Sequence, residues 1–321
     1  MPDSVTPPLV AALDIGGTKM AAAVVDGSGH VLARDRIATP AAAGAGAVLA
    51  AAADLVRAVT HSHAVAALGV GSAGVIEPDT GIVLGATDVL PGWVGTDLRG
   101  ALGSALGVPV VVRNDVHAHA LGEAAHGAGA GHTSLLHIAV GTGVGAAYVH
   151  TGLPGRVLIG GHAAAGHAGH LPSKEAGDLP CTCGGRGHLE AIAAGPALAR
   201  EHARRTGAQV ADLREVAALA AGGDADAGAV IELGGRAVGA AIGGLVNVFD
   251  PNVVVVGGGV AGLGDPWWQP LRDALFREIL PSLRDIPVLP SGLGDDAAVL
   301  GAAALAHDLL GRTRLIEGEV R

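Results

Sequence analysis

Three short stretches carry residue types that can do chemistry. Residues 166–190, "GHAGHLPSKEAGDLPCTCGGRGHLE", hold both cysteines of the chain together with His167, His170 and His188. Thiolates and imidazoles gathered this way can make a metal site, a substrate site or a loop that is merely rich in His. The Cys181-x-Cys183 spacing is tighter than that of common zinc fingers. A second stretch, "VVVRNDVHAHALGE", places Asn114 and Asp115 at the end of an apolar run. A carboxylate there can accept a proton from a substrate hydroxyl as it attacks phosphorus, and the Asn-Asp pair can equally cap the helix that follows. The third, "LDIGGTK", sets Asp14 ahead of Gly16, Gly17, Thr18 and Lys19. In such a turn the amides approach phosphate oxygens, Thr18 donates a hydroxyl and Asp14 can hold magnesium through water; a plain Gly-Gly hairpin turn reads the same way.

The glycine device recurs. "VGTGVG" contains Gly141, Thr142 and Gly143, and "VVVVGGGV" contains Gly257, Gly258 and Gly259, each after an apolar run. Three such turns are harder to ascribe to coincidence than one. "GVGSAG" (69–74) matches the dinucleotide-binding pattern letter for letter, but that pattern needs a helix directly after it, and "VIEPDTGIV" reads as turn and strand. A dehydrogenase is therefore not expected.

These turns need strands to carry them. Residues 9–15, "MAAAVVD" and "VLARDRIATP" read as a meander with "GSGH" as its turn, 45–60 as a helix, and 108–115 as a buried strand before a helical segment. From residue 134 the strand, Gly turn and strand pattern begins again, about 125 residues after its first appearance. Helical stretches at 190–205, 211–221 and 226–248 follow, then a buried strand at 251–260 and a closing helix at 295–310. The expected class is α/β with two similar lobes and a ligand cleft between them.

Composition narrows the function. A formal net charge of −10 argues against nucleic acid and anionic membrane as partners, since both need clustered Lys and Arg. The N-terminus lacks the basic residues and long apolar run of a leader, and two cysteines make no disulfide framework, so a soluble cytoplasmic protein is expected. With only 2% aromatic residues and 53 glycines, the interior must be packed with small aliphatic side chains.

The ordered motifs "DIGGTKMAAAVVD", "RNDVHAHALGE", "VGTGVG", "GHLPSKEAGDLPCTCGGRGHLE", "NVFDPNVVVVGGGV" and "LGDDAAVLGAA" resemble those of ROK-family sugar kinases, most of all its bacterial glucokinases, from about residue 9 to 310. The resemblance implies a two-lobed ribonuclease-H-like fold of the actin and hexokinase type. It also implies ATP with magnesium, and transfer of the γ-phosphoryl group to a sugar hydroxyl, usually the 6-hydroxyl. Residues 1–118 with 297–321 would form the small lobe and 119–296 the large one. Carried over by position, Asp14, Gly16, Gly17, Thr18 and Lys19 match the first phosphate loop, Gly141, Thr142 and Gly143 the second, and Gly257, Gly258 and Gly259 the nucleotide-side loop. Asn114 matches a sugar contact and Asp115 the general base, while Gly74 and Thr87 fall on the sugar side, Thr87 weakly. Relatives imply a homodimer or homotetramer.

In the family, the segment from 166 reads G-E-x-G-H and then C-x-C-G-x-x-G-C-x-E. His170, Cys181 and Cys183 match three zinc ligands, and His188 replaces the third Cys. Two thiolates and two imidazoles remain a sound tetrahedral set for a structural zinc. His170 and Glu190 match sugar ligands. His167, however, stands where the family has a Glu that accepts hydrogen bonds from the sugar's 2- and 3-hydroxyls. A neutral imidazole offers one acceptor and one donor, so a glucose analogue altered near carbon 2 or 3, or at the anomeric end, is expected. Amino sugars such as kanosamine and seven-carbon cyclitols are candidates, and glucose with a tolerated His167 is the alternative. His117, His119, His126 and His132 receive no role, and Trp267 and Trp268 read as packing or interface residues. The family also contains sugar-responsive repressors, but here the first phosphate loop begins at residue 14 and the chain is acidic, so an enzyme is expected over a repressor or a non-catalytic sugar binder.

Overall fold

A computed structural model describes residues 7–86, 90–153 and 156–319, with side chains as far as residue 311. The chain forms two compact units, residues 1–131, 149–165 and 295–321 in one and 132–148 with 166–294 in the other.

The first unit opens with β1 (Val10–Ile15) and β2 (Lys19–Val25), apolar runs buried almost throughout, joined by the Gly16–Thr18 turn. β3 (Val31–Ala38) follows the turn at 26–30, where the Asp26 and Gly29 amides bond His30 and Asp26 carbonyls. Helix α1 (Ala45–Thr60) buries Val48, Ala52, Leu55, Val56 and Val59, the 3–4 spacing of one helical face. β4 (Leu68–Ser72) is wholly buried. β5 (Val75–Ile76) and β6 (Val83–Gly85) then pair antiparallel, so a strand and not a helix follows "GVGSAG". α2 (Leu98–Leu106), β7 (Val110–Asn114) and α3 (Asp115–His126) complete this part. The main sheet runs β3-β2-β1-β4-β7, with β1 parallel to β4 and β4 parallel to β7. Its register sets Ile15 beside Ser72 and Ser72 beside Asn114. The carboxyl ends of three parallel strands, and the loops leaving them, are thereby aligned on one edge.

The second unit repeats the plan. β8 (Ser134–Val140) and β9 (Val144–His150) flank the turn at 141–143. Short α4 (Glu190–Ala193), then α5 (Gly195–Thr206), α6 (Leu213–Ala221) and α7 (Ala225–Phe249) lead to β10 (Val253–Gly257), α8 (Asp265–Glu278) and β11 (Val288–Pro290). The sheet order is β11-β10-β8-β9, and parallel pairing sets Ala139 beside Gly257, so two glycine turns leave the same edge. α7 is long and apolar enough to cross a membrane by length and composition, but Val230, Ile231, Val238, Ile242 and Val246 are buried in this unit's own core. Trp267 and Trp268 belong to the same core, their rings edge to face at 5.5 Å, which agrees with a packing role. The chain closes with α9 (Ala297–Glu319), which returns to pack on α3, β1 and β4 of the first unit.

Candidate active site

In the first unit the aligned strand ends collect the polar residues. The Gly16 amide bonds the Lys19 carbonyl at 3.1 Å, and the Thr39 hydroxyl holds the Gly16 carbonyl at 2.7 Å, so the turn after β1 is braced from the end of β3. Lys19 pairs with Asp295 at 3.0 Å, and the ammonium holds that carboxyl below the usual range. Sequence reasoning missed Asp295. Its motif was visible, but a partner so distant along the chain was not.

Asn114 caps α3. Its side-chain oxygen accepts from the Val116 amide at 2.9 Å while its amide group donates to the Gly74 carbonyl at 2.9 Å. The capping reading of Asn114 therefore holds, and the same side chain fixes the Gly74 loop. Asp115 is the first residue of α3, where the helix N-terminus favours an anion, and its Oδ1 also accepts from the Val116 amide at 2.9 Å. Gly71 lets the helix approach the sheet: a Cβ there would crowd the Ala118 Cβ at 3.0 Å, and the Asp115 Cα and Asp14 Oδ1 lie 3.7 and 3.8 Å from the same point. Asp14 is consequently pushed up to about 7, first by enclosure in protein and then by the Asp115 charge, with Lys19 opposing. Two carboxylates in such surroundings suit a divalent cation, which would relieve their repulsion. His119, one turn beyond Asp115 on α3, is held below the ordinary imidazole range by burial. His117 is buried and bonds the Ala165 carbonyl at 3.1 Å, a structural role. Thr87 lies outside the described residues.

In the second unit the turn at 141–143 is tied to its surroundings on both sides. The Gly141 amide bonds the Gly143 carbonyl at 2.9 Å, and the Gly195 amide at the start of α5 bonds the Gly141 carbonyl at 2.8 Å. Gly258, at φ +89°, has the left-handed conformation that excludes most side chains, and an added Cβ would run into the Val140 backbone. Gly257 and Gly259 flank it at the end of β10.

The segment 166–190 has little regular structure. His170, Cys181, Cys183 and His188 nevertheless bring one ligand atom each to within 4.8 Å of all the others. His170 Nδ1 faces Cys181 Sγ at 3.6 Å, and His188 Nδ1 faces Cys183 Sγ at 3.2 Å. Burial pushes the Cys181 thiol up, so the buried thiolate needs a cation beside it to form readily. Two sulfurs and two imidazole nitrogens at these separations fit a tetrahedral zinc ion. With Nδ1 on the cluster side, His170 directs Nε2 away from it. His167 is outside the set. It is exposed, its ring stacked on His170 at 6.2 Å between centroids. Glu190, at the start of α4, accepts from the Val144 amide and from the Thr182 hydroxyl, both at 2.9 Å.

Residues 10–309 match the ROK family. The chain belongs to the ROK family. It is similar to a glucokinase of Streptomyces coelicolor, 32% identical with 94% of this chain and 98% of the relative covered. An N-acetylmannosamine kinase of Yersinia pseudotuberculosis is 34% identical over 93% of this chain and 98% of its own. Among solved structures, a ROK glucokinase from Streptomyces griseus in complex with glucose and AMPPNP has a TM-score of 0.78 at 32% identity, covering 93% and 99% of the two chains. The architecture is thus the actin and hexokinase-like fold of ROK sugar kinases, mixed α/β with open sheets.

Proposed function

We propose that this ROK-family sugar kinase transfers the terminal phosphoryl group of ATP to the 6-hydroxyl, or its equivalent, of a hexose altered at carbon 2 or 3, with Asp115 as general base. Two relatives are named glucokinase and N-acetylmannosamine kinase, and a similar ROK glucokinase holds glucose and AMPPNP, which supports an ATP-dependent hexose kinase. The observation that supports the base is the sheet register. It sets Asn114, directly before Asp115, on the strand edge that also carries the Asp14–Lys19 turn. Asp115 would take the proton of the sugar hydroxyl as its oxygen attacks the γ-phosphorus, the bond to the ADP oxygen breaks, and ADP leaves. Among the first unit's residues Asp115 would be the base and the Gly16–Thr18 turn would bind phosphate; among the second's, the turns at 141–143 and 257–259 would bind phosphate and His170 and Glu190 the sugar. Asp14 would hold magnesium, directly or through water, and a bound magnesium ion neutralises charge on the phosphates. Zinc at His170, Cys181, Cys183 and His188 would be structural, pinning the loop that presents His170.

His167 supports the altered sugar, because a neutral imidazole cannot accept from two hydroxyls as a carboxylate does. The relatives' names are compatible with this, since one of them acts on a sugar substituted at carbon 2. Glucose itself is the second reading, favoured by the glucokinase relatives. A cytoplasmic, oligomeric enzyme accords with this reading. ADP release measured across glucose, N-acetylmannosamine and kanosamine is the test. The specificity constant should be highest for a sugar altered at carbon 2 or 3. A maximum at glucose overturns the substrate proposal, and sugar-independent ADP release alone overturns the kinase proposal for these sugars.

A further inference from the structure

Thr182 lies between the two cysteines, and its side chain is within hydrogen-bonding reach of the Cys181 sulfur. Its hydroxyl also donates to Glu190 Oε1 at 2.9 Å, while Glu190 Oε2 accepts from the Val144 amide at 2.9 Å. Glu190 is thus held from two directions, by the metal loop and by the first residue of β9, directly after the 141–143 turn. There is no slack on the second side, because a Cβ at Gly143 would come within 2.7 Å of Oε2 and one at Gly169 within 3.1 Å. A glutamate has several freely rotating bonds, and two hydrogen bonds at separate oxygens remove most of that freedom before any ligand arrives. Each oxygen has a second lone pair, so the carboxylate can still accept from substrate hydroxyls.

The backbone of Thr182 is fixed in turn by its neighbours. The Cys181 amide bonds the Gly185 carbonyl at 2.8 Å, and the Gly184 amide bonds the Cys181 carbonyl at 3.0 Å, so the two thiols flank a tight turn with Thr182 at its tip. We propose that Thr182 is a positioning residue whose hydroxyl transmits the order of the Cys/His cluster to Glu190 and thereby sets the affinity for the sugar. This rests on the reading that Glu190 faces sugar hydroxyls.

The test compares Thr182→Val, Thr182→Ser and Glu190→Gln in the full chain. Zinc content is read by mass spectrometry, sugar binding by calorimetry without nucleotide, and kinetics with the best sugar of the panel. Thr182 is exposed, so the substitutions displace no core atoms. Thr182→Val should keep its zinc and raise the sugar Kd and KM about tenfold, the worth of one hydrogen bond to a charged group, with kcat and the KM for ATP within about twofold. Thr182→Ser should restore both values, and Thr182→Val should add little in a Glu190→Gln background. An unchanged sugar Kd in Thr182→Val alongside a raised one in Glu190→Gln overturns the inference alone. Loss of zinc from Thr182→Val overturns it as well, because the hydroxyl would then serve the metal loop. An unchanged Kd in Glu190→Gln removes the sugar role of Glu190 and takes the inference with it, while leaving the kinase assignment intact.

Discussion

Asp115 and His170 are positioned by opposite means. Asp115 begins a helix that leaves a buried parallel strand, and its place follows from backbone pairing from β1 through β4 to β7. His170 stands in a segment whose backbone order comes from two isolated bridges, Pro172 with His188 and Pro180 with Arg186, and from short turns. A sheet edge holds a side chain whether or not that side chain is reactive. The segment anchors Ala168, Ala176 and Leu189 in the second unit's core, but between those anchors it depends on cross-links, and the cluster of two thiols and two imidazoles supplies them once a metal is bound. The two regions should therefore fail differently when their polar residues are removed.

The largest expected effect is at the sheet edge and is purely chemical. Asp115→Asn keeps an oxygen for the Val116 amide, so α3 and its cap should survive. kcat should fall by about 10³-fold or more if Asp115 is the base proposed above, since only positioning would remain. Amide hydrogen exchange of β7 and α3 should match the parent protein. A variant that kept full activity would remove Asp115 from the chemistry, and one that lost protection in β7 would show the edge to be less self-sufficient than its register implies.

Next in size comes Cys181→Ser in the second region. The metal should be lost, residues 166–189 should become sensitive to protease, and the specificity constant should drop about 10- to 100-fold, while β1, β4 and β7 keep their exchange protection. Protease resistance without metal would mean that the loop orders itself, and the contrast between the regions would then disappear.

The same contrast explains what the sequence revealed. Apolar runs ended by Gly or Asn-Asp marked β1, β7, β8 and β10 and the turns they carry, because burial and strand ends leave a periodic trace. The cluster partners were legible as residue types, and His188 stands with them as the fourth member, as the sequence led one to expect. The pairing of Lys19 with Asp295, the hold of Asn114 on the Gly74 carbonyl, and the hold of Thr182 on Glu190 were not legible. Each is a side-chain bond whose partner is chosen by tertiary packing, so neither residue's neighbours in sequence announce it.

A smaller effect separates the regions by pH. Asp14 is raised to about 7 against an ordinary value of 3.8, so the folded chain keeps this proton where the unfolded chain has released it. The resulting stabilisation is complete below about pH 4 and lost as the pH rises through 7. Asp14→Asn carries no charge to bury, so in EDTA its melting temperature should draw ahead of the parent's between pH 5 and pH 8, by an amount equivalent to about 2 kcal/mol once the partial exposure of Asp14 is allowed for. Magnesium should narrow the gap at pH 8 by stabilising the ionised parent. A gap that does not change with pH would mean that Asp14 is not strained by its neighbours.

The smallest effect concerns selectivity. His167 sits beside the cluster without belonging to it, stacked on His170 and exposed. His167→Glu should therefore leave the zinc content unchanged, unlike any change at the four ligands. What it should alter is the pattern of acceptors offered to a sugar. A carboxylate accepts from two adjacent hydroxyls, whereas an imidazole accepts from one and donates to the other partner. The ratio of specificity constants for glucose over N-acetylmannosamine should rise about tenfold, the discrimination expected when a buried hydroxyl gains or loses its acceptor. If the ratio stays fixed while zinc is retained, position 167 does not read the sugar. If zinc is lost as well, His167 is part of the metal loop's support, and the boundary drawn around the four ligands is too narrow.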